Sequence, residues 1–138
     1  VEMCVRARAH PLAARSAVRP KDLAGQSYIG VSAARAPTLR SAINDFFTRH
    51  GLAMEVAHQA ENLAMAISLI ASTGGICLLP LYAQNLLPKT IVCRPIQGAP
   101  PLVDLVLGYN EGNRSPLLEF VLSRVDEIKF QALRPEGG

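Results

Sequence analysis

The stretch that most constrains the fold is residues 61–80, ENLAMAISLIASTGGICLLP, which places a helix, a reversal and a buried strand in immediate succession. Leu63, Ile67, Ile70 and Ala71 recur at the i, i+4, i+7, i+8 spacing of one helical face, and Ser68, Ser72 and Thr73 fall off it. That face needs a sheet to cover. Gly74 and Gly75 then stop the helix where a positive φ is called for, and residues 76–79 form an unbroken apolar run ended by Pro80. A strand without a polar face is covered on both sides, which is the habit of parallel sheets in α/β folds. Glu61 and Asn62 stand at the helix start, at the end of such a sheet where ligands bind.

Composition narrows the class. A chain of 138 residues with 49% hydrophobic content buries one core, which predicts one domain, and a mean hydropathy of +0.20 argues against disorder. No apolar run approaches the roughly 18 residues of a membrane helix, and no basic segment with a hydrophobic signal core opens the chain. The expectation is a soluble, cytoplasmic protein without a membrane partner. The net charge of +3 comes from scattered arginines, which reads as solvated surface rather than a nucleic-acid footprint. Cys4, Cys77 and Cys93 are odd in number and lack CxxC spacing; they fit small reduced thiols rather than disulfides or a zinc site.

In chain order, residues 1–5 alternate as a strand, and His10-Pro11 breaks regular structure. Residues 22–25 form a turn into a strand at 28–31. After the small-residue loop 32–36, Pro37 opens a helix whose one side is Leu39, Ile43, Phe46, Phe47 and His50, closing at Gly51. A short strand is predicted at 54–58. Beyond Pro80 come a turn of helix at 81–86, a strand at 91–93, a connector at 94–101, and the longest strand at 102–109. Ser115 is the predicted cap of a last helix with Pro116 at its first position and Leu118, Val121, Leu122, Val125 and Ile128 as its apolar stripe. The last residues, 131–138, read as a frayed tail.

The order β–β–α–β–α–β–β–β–α predicts an α/β architecture that is incomplete. Residues 26–93 make a self-contained βαβαβ block, which looks like one lobe inserted into another sheet. Residues 1–12 and 94–130 are then the crossovers and last elements of that other sheet, whose remainder lies in sequence outside this chain. A strand at 102–109 without its neighbours exposes backbone groups, so an oligomer or a domain-swapped arrangement is expected.

Several segments in this order carry a family resemblance: HisProLeuAla at 10–13, AspLeuAlaGly at 22–25, ProThrLeuArg at 37–40, AsnLeuAlaMetAlaIleSerLeuIleAla at 62–71, GlyIleCysLeuLeuPro at 75–80, and ArgPro at 94–95 with AsnArgSerProLeu at 113–117. Together they resemble the C-terminal part of the effector-binding domain of LysR-type transcriptional regulators, over residues 3–128. The resemblance implies a type 2 periplasmic-binding-protein-like fold, with one complete lobe at 13–93, the C-terminal elements of a second, and a ligand cleft between them. It implies operator binding only through a helix-turn-helix domain that this chain lacks. It also implies a dimer or tetramer, with the helix 37–50 and the strand 54–58 as candidate interface elements, although Phe46 and Phe47 equally suit the core.

Candidate site residues follow from both lines. Ser32, Pro37, Thr38 and Leu39 lie between a strand end and a helix start, where free amides and a hydroxyl can hold a carboxylate; capping by Ser32 or Thr38 is the alternative. The resemblance places these four at the effector, with Glu61 and Asn62 at the other helix start, where capping is again the alternative. Arg35 either pairs with an acidic effector or is solvated. His10, His50 and His58 form no HxH or HxxxH pair, so neither a metal nor a cofactor is expected, and His50 suits the negative end of its helix. SerThrGlyGly at 72–75 is neither a nucleophile elbow nor a phosphate loop, and no catalytic residue is assigned. The expected function is small-molecule sensing, with a small organic carboxylate as effector. A solute-binding protein of a transport system is the alternative on the same fold.

Overall fold

The computed structural model describes the backbone of residues 3–7, and residues 10–101 and 108–127. It divides into two compact units, Val1–Val103 and Asp104–Gly138. The first is built on the strand Tyr28–Val31 (β2), every residue of which is buried. On one side β2 pairs in parallel with Val56–Ala60 (β3), and on the other with Ile76–Leu79 (β4). Beyond β4 lie Met3–Ala7 (β1) and Ile91–Pro95 (β5), giving the order β3-β2-β4-β1-β5. The sequence reading assigns residues 1–12 to a crossing into a second sheet. Here β1 is an internal strand of this one, antiparallel to both β4 and β5. It arrives from outside the βαβαβ block, so nothing forces it to share the direction of the strands inside.

Two helices join the parallel strands. Pro37–Arg49 (α1) connects β2 to β3, and Leu63–Thr73 (α2) connects β3 to β4. Because β3 and β4 flank β2 on opposite sides, right-handed crossovers put α1 and α2 on opposite faces of the sheet. Tyr28 accordingly meets Phe47 of α1 edge-on, with ring centroids 5.2 Å apart, while Ile29 on the other face sits beside Gly75. Ile43, Phe46 and Phe47 bury α1, so both phenylalanines belong to the core. On α2 the buried residues are Ala66 and Ile70, with Leu63, Ile67 and Leu69 half-buried. Ala71, expected in the stripe, is exposed. The helix face is centred one residue-row nearer Ala66, whose small side chain lets α2 approach the sheet closely.

The paired glycines do two different things. Gly74 takes φ +68° and donates its N–H to the Ile70 carbonyl, a left-handed cap. Gly75 is needed for close approach, since a Cβ there would lie 2.9 Å from the Ser27 carbonyl oxygen. Ile76 then donates to that same carbonyl at 2.8 Å, which sets β4 beside β2.

Strand β3 begins two residues later than the predicted 54–58. Pairing with β2 decides its start: Tyr28 faces Val56, and after a register shift Ile29 faces His58, so Ala57 is an extra residue in the ladder. Leu52 and Met54 instead pack against the core from the connecting loop. Val56 to Gln59 are exposed, as befits the end strand of the sheet.

Polar contacts fasten the segment before β2. His10 accepts the Leu12 N–H at Nδ1, so its proton lies on Nε2, which donates to Gln26 at 2.9 Å. Arg94 sends Nε and Nη2 to the Ala13 carbonyl at 3.1 and 2.8 Å. Asp22 accepts the Arg19 backbone N–H and guanidinium, and Arg15 joins at 3.1 Å. Hydrogen bonding from Arg19, aided by the Arg15 charge, pulls the Asp22 carboxyl down to about 2. His50 occupies the C-cap of α1 with its ring 4.6 Å from that of Phe46. Cys77 is buried, and burial pushes the half-buried Cys93 thiol up to about 11.

The second unit holds turns at Asn110 and Asn113, whose side chains accept the N–H groups of Gly112 and Ser115, followed by Pro116–Ser123 (α3). Ser115 holds the N-cap position, but its hydroxyl makes no capping bond; its own N–H is spent on Asn113. Leu118, Val121, Leu122 and Val125 are half-buried. The longest predicted strand, apart from its last residues, and Ile128 lie outside the described residues.

Two outcomes test this packing. Phe46→Ala, which empties a fully buried site on α1, is expected to cost about 3–5 kcal/mol in urea unfolding. Tyr28→Phe is expected to be neutral or stabilising, because the buried Tyr28 hydroxyl has no hydrogen-bond partner among the described residues. A loss above about 1 kcal/mol there would show that the phenol is bonded after all. Asp22 contributes stability above its ordinary carboxyl range that disappears as pH falls from about 4 to about 2. Urea midpoints for Asp22→Asn should therefore converge on those of the parent chain at the acid end of that window and fall below them near neutrality.

Candidate functional site

The carboxyl ends of the three parallel strands, Val31, Ala60 and Leu79, meet at one cavity of about 140 Å³. The loops that leave those strands build its walls. After β2 the chain turns through Ser32 to Ala36, with the Ser32 N–H donating to the Ala60 carbonyl and the Ala36 N–H to the Ser32 carbonyl, both at 2.9 Å. After β3, Glu61 and Asn62 lead into α2. After β4, Pro80 opens a 3-10 turn, Leu81–Leu86, that contributes Tyr82 and Ala83. The floor is apolar, from Val31, Leu39, Ala60, Leu63, Ala66, Leu79 and Ala83. An apolar cavity of this size holds a six-membered ring.

The polar groups stand at the rim. Arg35 Nε lies 3.8 Å from Glu61 Oε2, and both side chains are largely open to solvent. Glu61 Oε1 accepts from Gln59 Nε2 at 3.1 Å. Hydrogen bonds from Gln59 and from the buried Ser32 hydroxyl, with the Arg35 charge behind them, hold the Glu61 carboxyl below its usual range, so it is ionised at neutral pH. Asn62 caps α2, its Oδ1 accepting the Met65 N–H at 2.8 Å. Below the rim, Arg40 Nη1 donates to the Val31 carbonyl at 3.0 Å and fixes the end of β2. The arrangement is an apolar recess with an ion pair at its mouth. Among the described residues no group of three or more His, Cys, Asp or Glu is placed to hold a metal ion.

Of the seven residues singled out from sequence, Ser32, Arg35, Leu39, Glu61 and Asn62 line this cavity, while Pro37 and Thr38 are exposed and do not. Ser32 does not cap α1, whose N-cap is Ala36 with no side-chain bond. Sequence reasoning missed the third wall, Pro80, Tyr82 and Ala83. The available signal was positional: a strand parallel to β2 delivers whatever follows it to the same end of the sheet.

Comparison with known proteins follows the same lines. The Hca operon transcriptional activator HcaR of Escherichia coli (strain K12) is 24% identical over 118 residues, which is 86% of this chain and 40% of that protein. The chain thus spans well under half the length of this relative. Among solved structures, the BenM effector binding domain with its effector benzoate superposes with a TM-score of 0.72 over 96% of this chain and 61% of that one, at 17% identity. The effector binding domain of QuiR in complex with shikimate gives 0.61 over 71% and 46%, at 22% identity. These likenesses establish the fold. The LysR substrate binding domain model matches residues 2–127, so the chain belongs to the LysR substrate-binding domain family.

Proposed function

We propose that this chain is the effector-sensing part of a LysR-type transcriptional regulator. A small organic carboxylate settles in the cavity beyond β2, β3 and β4. Its preference for one conformation shifts the population that sets how a helix-turn-helix domain of the full-length protein sits on operator DNA. The observation that carries this reading is the cavity itself, apolar in its floor, opening where three parallel strands end, with Arg35 at its mouth. The ligands of BenM and QuiR, benzoate and shikimate, are both small carboxylates with a six-membered ring. HcaR being a transcriptional activator favours the regulator over a transport protein.

In this reading Ser32, Arg35, Leu39, Glu61 and Asn62 contact the effector. Pro37 and Thr38 act through the start of α1, whose dipole favours an anion nearby. The sheet of β1 to β5 is the core of one lobe, and the unit from Asp104 onward belongs with the other. The protein works in the cytoplasm as a homo-oligomer, with the exposed end strand β3 as an association surface.

A thermal-shift screen of small organic acids tests the proposal. An acid present at about a hundred times its Kd is expected to stabilise the chain by about 2.7 kcal/mol, a rise of several degrees in Tm. Arg35→Ala should abolish most of that rise while leaving the unliganded Tm within about a degree, since the residue is exposed and its pairing weak. Stabilisation by neutral or cationic compounds alone would overturn the anion assignment.

A further inference from the structure

We infer that the Arg35–Glu61 pair reads the effector and selects carboxylic acids that also carry a hydrogen-bond donor, a hydroxyl or an ammonium, on their apolar body. The inference rests on the cavity being the effector site. Three features of the pair carry it.

The pair is loose. At 3.8 Å, with Arg35 74% and Glu61 47% exposed, it stands at the outer limit of an ion pair and opens at little cost. Glu61 is nevertheless held in place, by the 3.1 Å hydrogen bond that Gln59 Nε2 donates to its Oε1. Opening the pair therefore moves Arg35 and leaves the carboxylate fixed at the rim. Finally, the mouth is neutral as built, one guanidinium against one carboxylate.

A bare anion that draws Arg35 to itself leaves Glu61 unpaired beside a second negative charge. An ionised carboxylate is acceptor-only. The arrangement is restored when the ligand supplies both halves: an anionic group for Arg35 and a donor for the free lone pairs of Glu61. The apolar floor formed by Val31, Leu39, Ala66 and Leu79 takes the body between them, and its volume suits one ring.

Titration calorimetry with benzoate, meta-hydroxybenzoate, para-hydroxybenzoate and shikimate, on the parent chain and on Glu61→Gln, tests this. In the parent chain at least one hydroxylated acid is expected to bind about tenfold more tightly than benzoate, the worth of one hydrogen bond to a charged acceptor. Glu61→Gln removes the charge and keeps an acceptor. It is expected to bring the acids within about threefold of one another, chiefly by strengthening benzoate. Glu61 is exposed, so the variant should fold, and its unliganded melting curve verifies that. Benzoate binding as tightly as every hydroxylated acid, or a preference that survives Glu61→Gln, overturns the inference while leaving the cavity as an acid-binding site. If none of the four binds, the reading of the cavity falls, and this inference with it.

Discussion

Strand β2 has parallel partners on both sides, and that pairing governs the rest of the sheet unit. A parallel neighbour cannot be reached by a hairpin, so each one demands a crossover. With β3 on one flank and β4 on the other, the two crossovers leave in opposite directions and cover opposite faces. Between them α1 and α2 keep β2 dry, with Tyr28 and Ile29 at 1% and 0% exposure. The same geometry leaves the carboxyl end of the sheet open, because the loops from adjacent strands part there. The cavity is thus a product of connectivity, and its chemistry is whatever the three departing loops carry.

The polar groups are spent sparingly and locally. His10 and Asp22 brace the segment of residues 10–26 internally, through Gln26 and Arg19, and Arg94 of β5 ties it to the sheet through the Ala13 carbonyl. Val18, fully buried, bridges to Ile96 beyond β5 and closes that segment over the edge. None of these contacts reaches the cavity. Arg40 is the link between the core and the rim, because its bond to the Val31 carbonyl holds the point at which β2 becomes the Ser32 loop. The charged residues of the rim are exposed, and the side chains that shape the floor are buried. Affinity for the body of a ligand and discrimination among its substituents thereby fall to different residues.

Much of this was legible in the residues, for reasons that differ from element to element. The helix, the glycine cap and the apolar strand of 61–80 were fixed by local chemistry, namely period, positive φ and the stop at Pro80, and these appear within a residue or two of where they were expected. Strand β3 was displaced because its start is set by pairing with Tyr28, and a lone sequence carries no register. Strand β1 read correctly as a strand, but the sheet it joins depends on contacts some seventy residues away, with Leu79 and Cys77. The rim residues were found because helix starts are recognisable. Tyr82 and Ala83 were not: the turn at 81–86 was expected where it lies, but that it reaches the cavity depends on the sheet order. Thr38 lies in solvent and does not line the cavity, because a first-turn residue can point away from the strand end that precedes it.

The register shift at Ala57 limits what can pair with the outer side of β3. An end strand with a regular, flat ladder is a template on which further strands add without limit. An extra residue of this kind bends and overtwists a strand, so a bulged edge offers a short, curved seam in place of a straight track. A second molecule that docks there must match that curvature, which suits a closed pair and penalises runaway fibre growth.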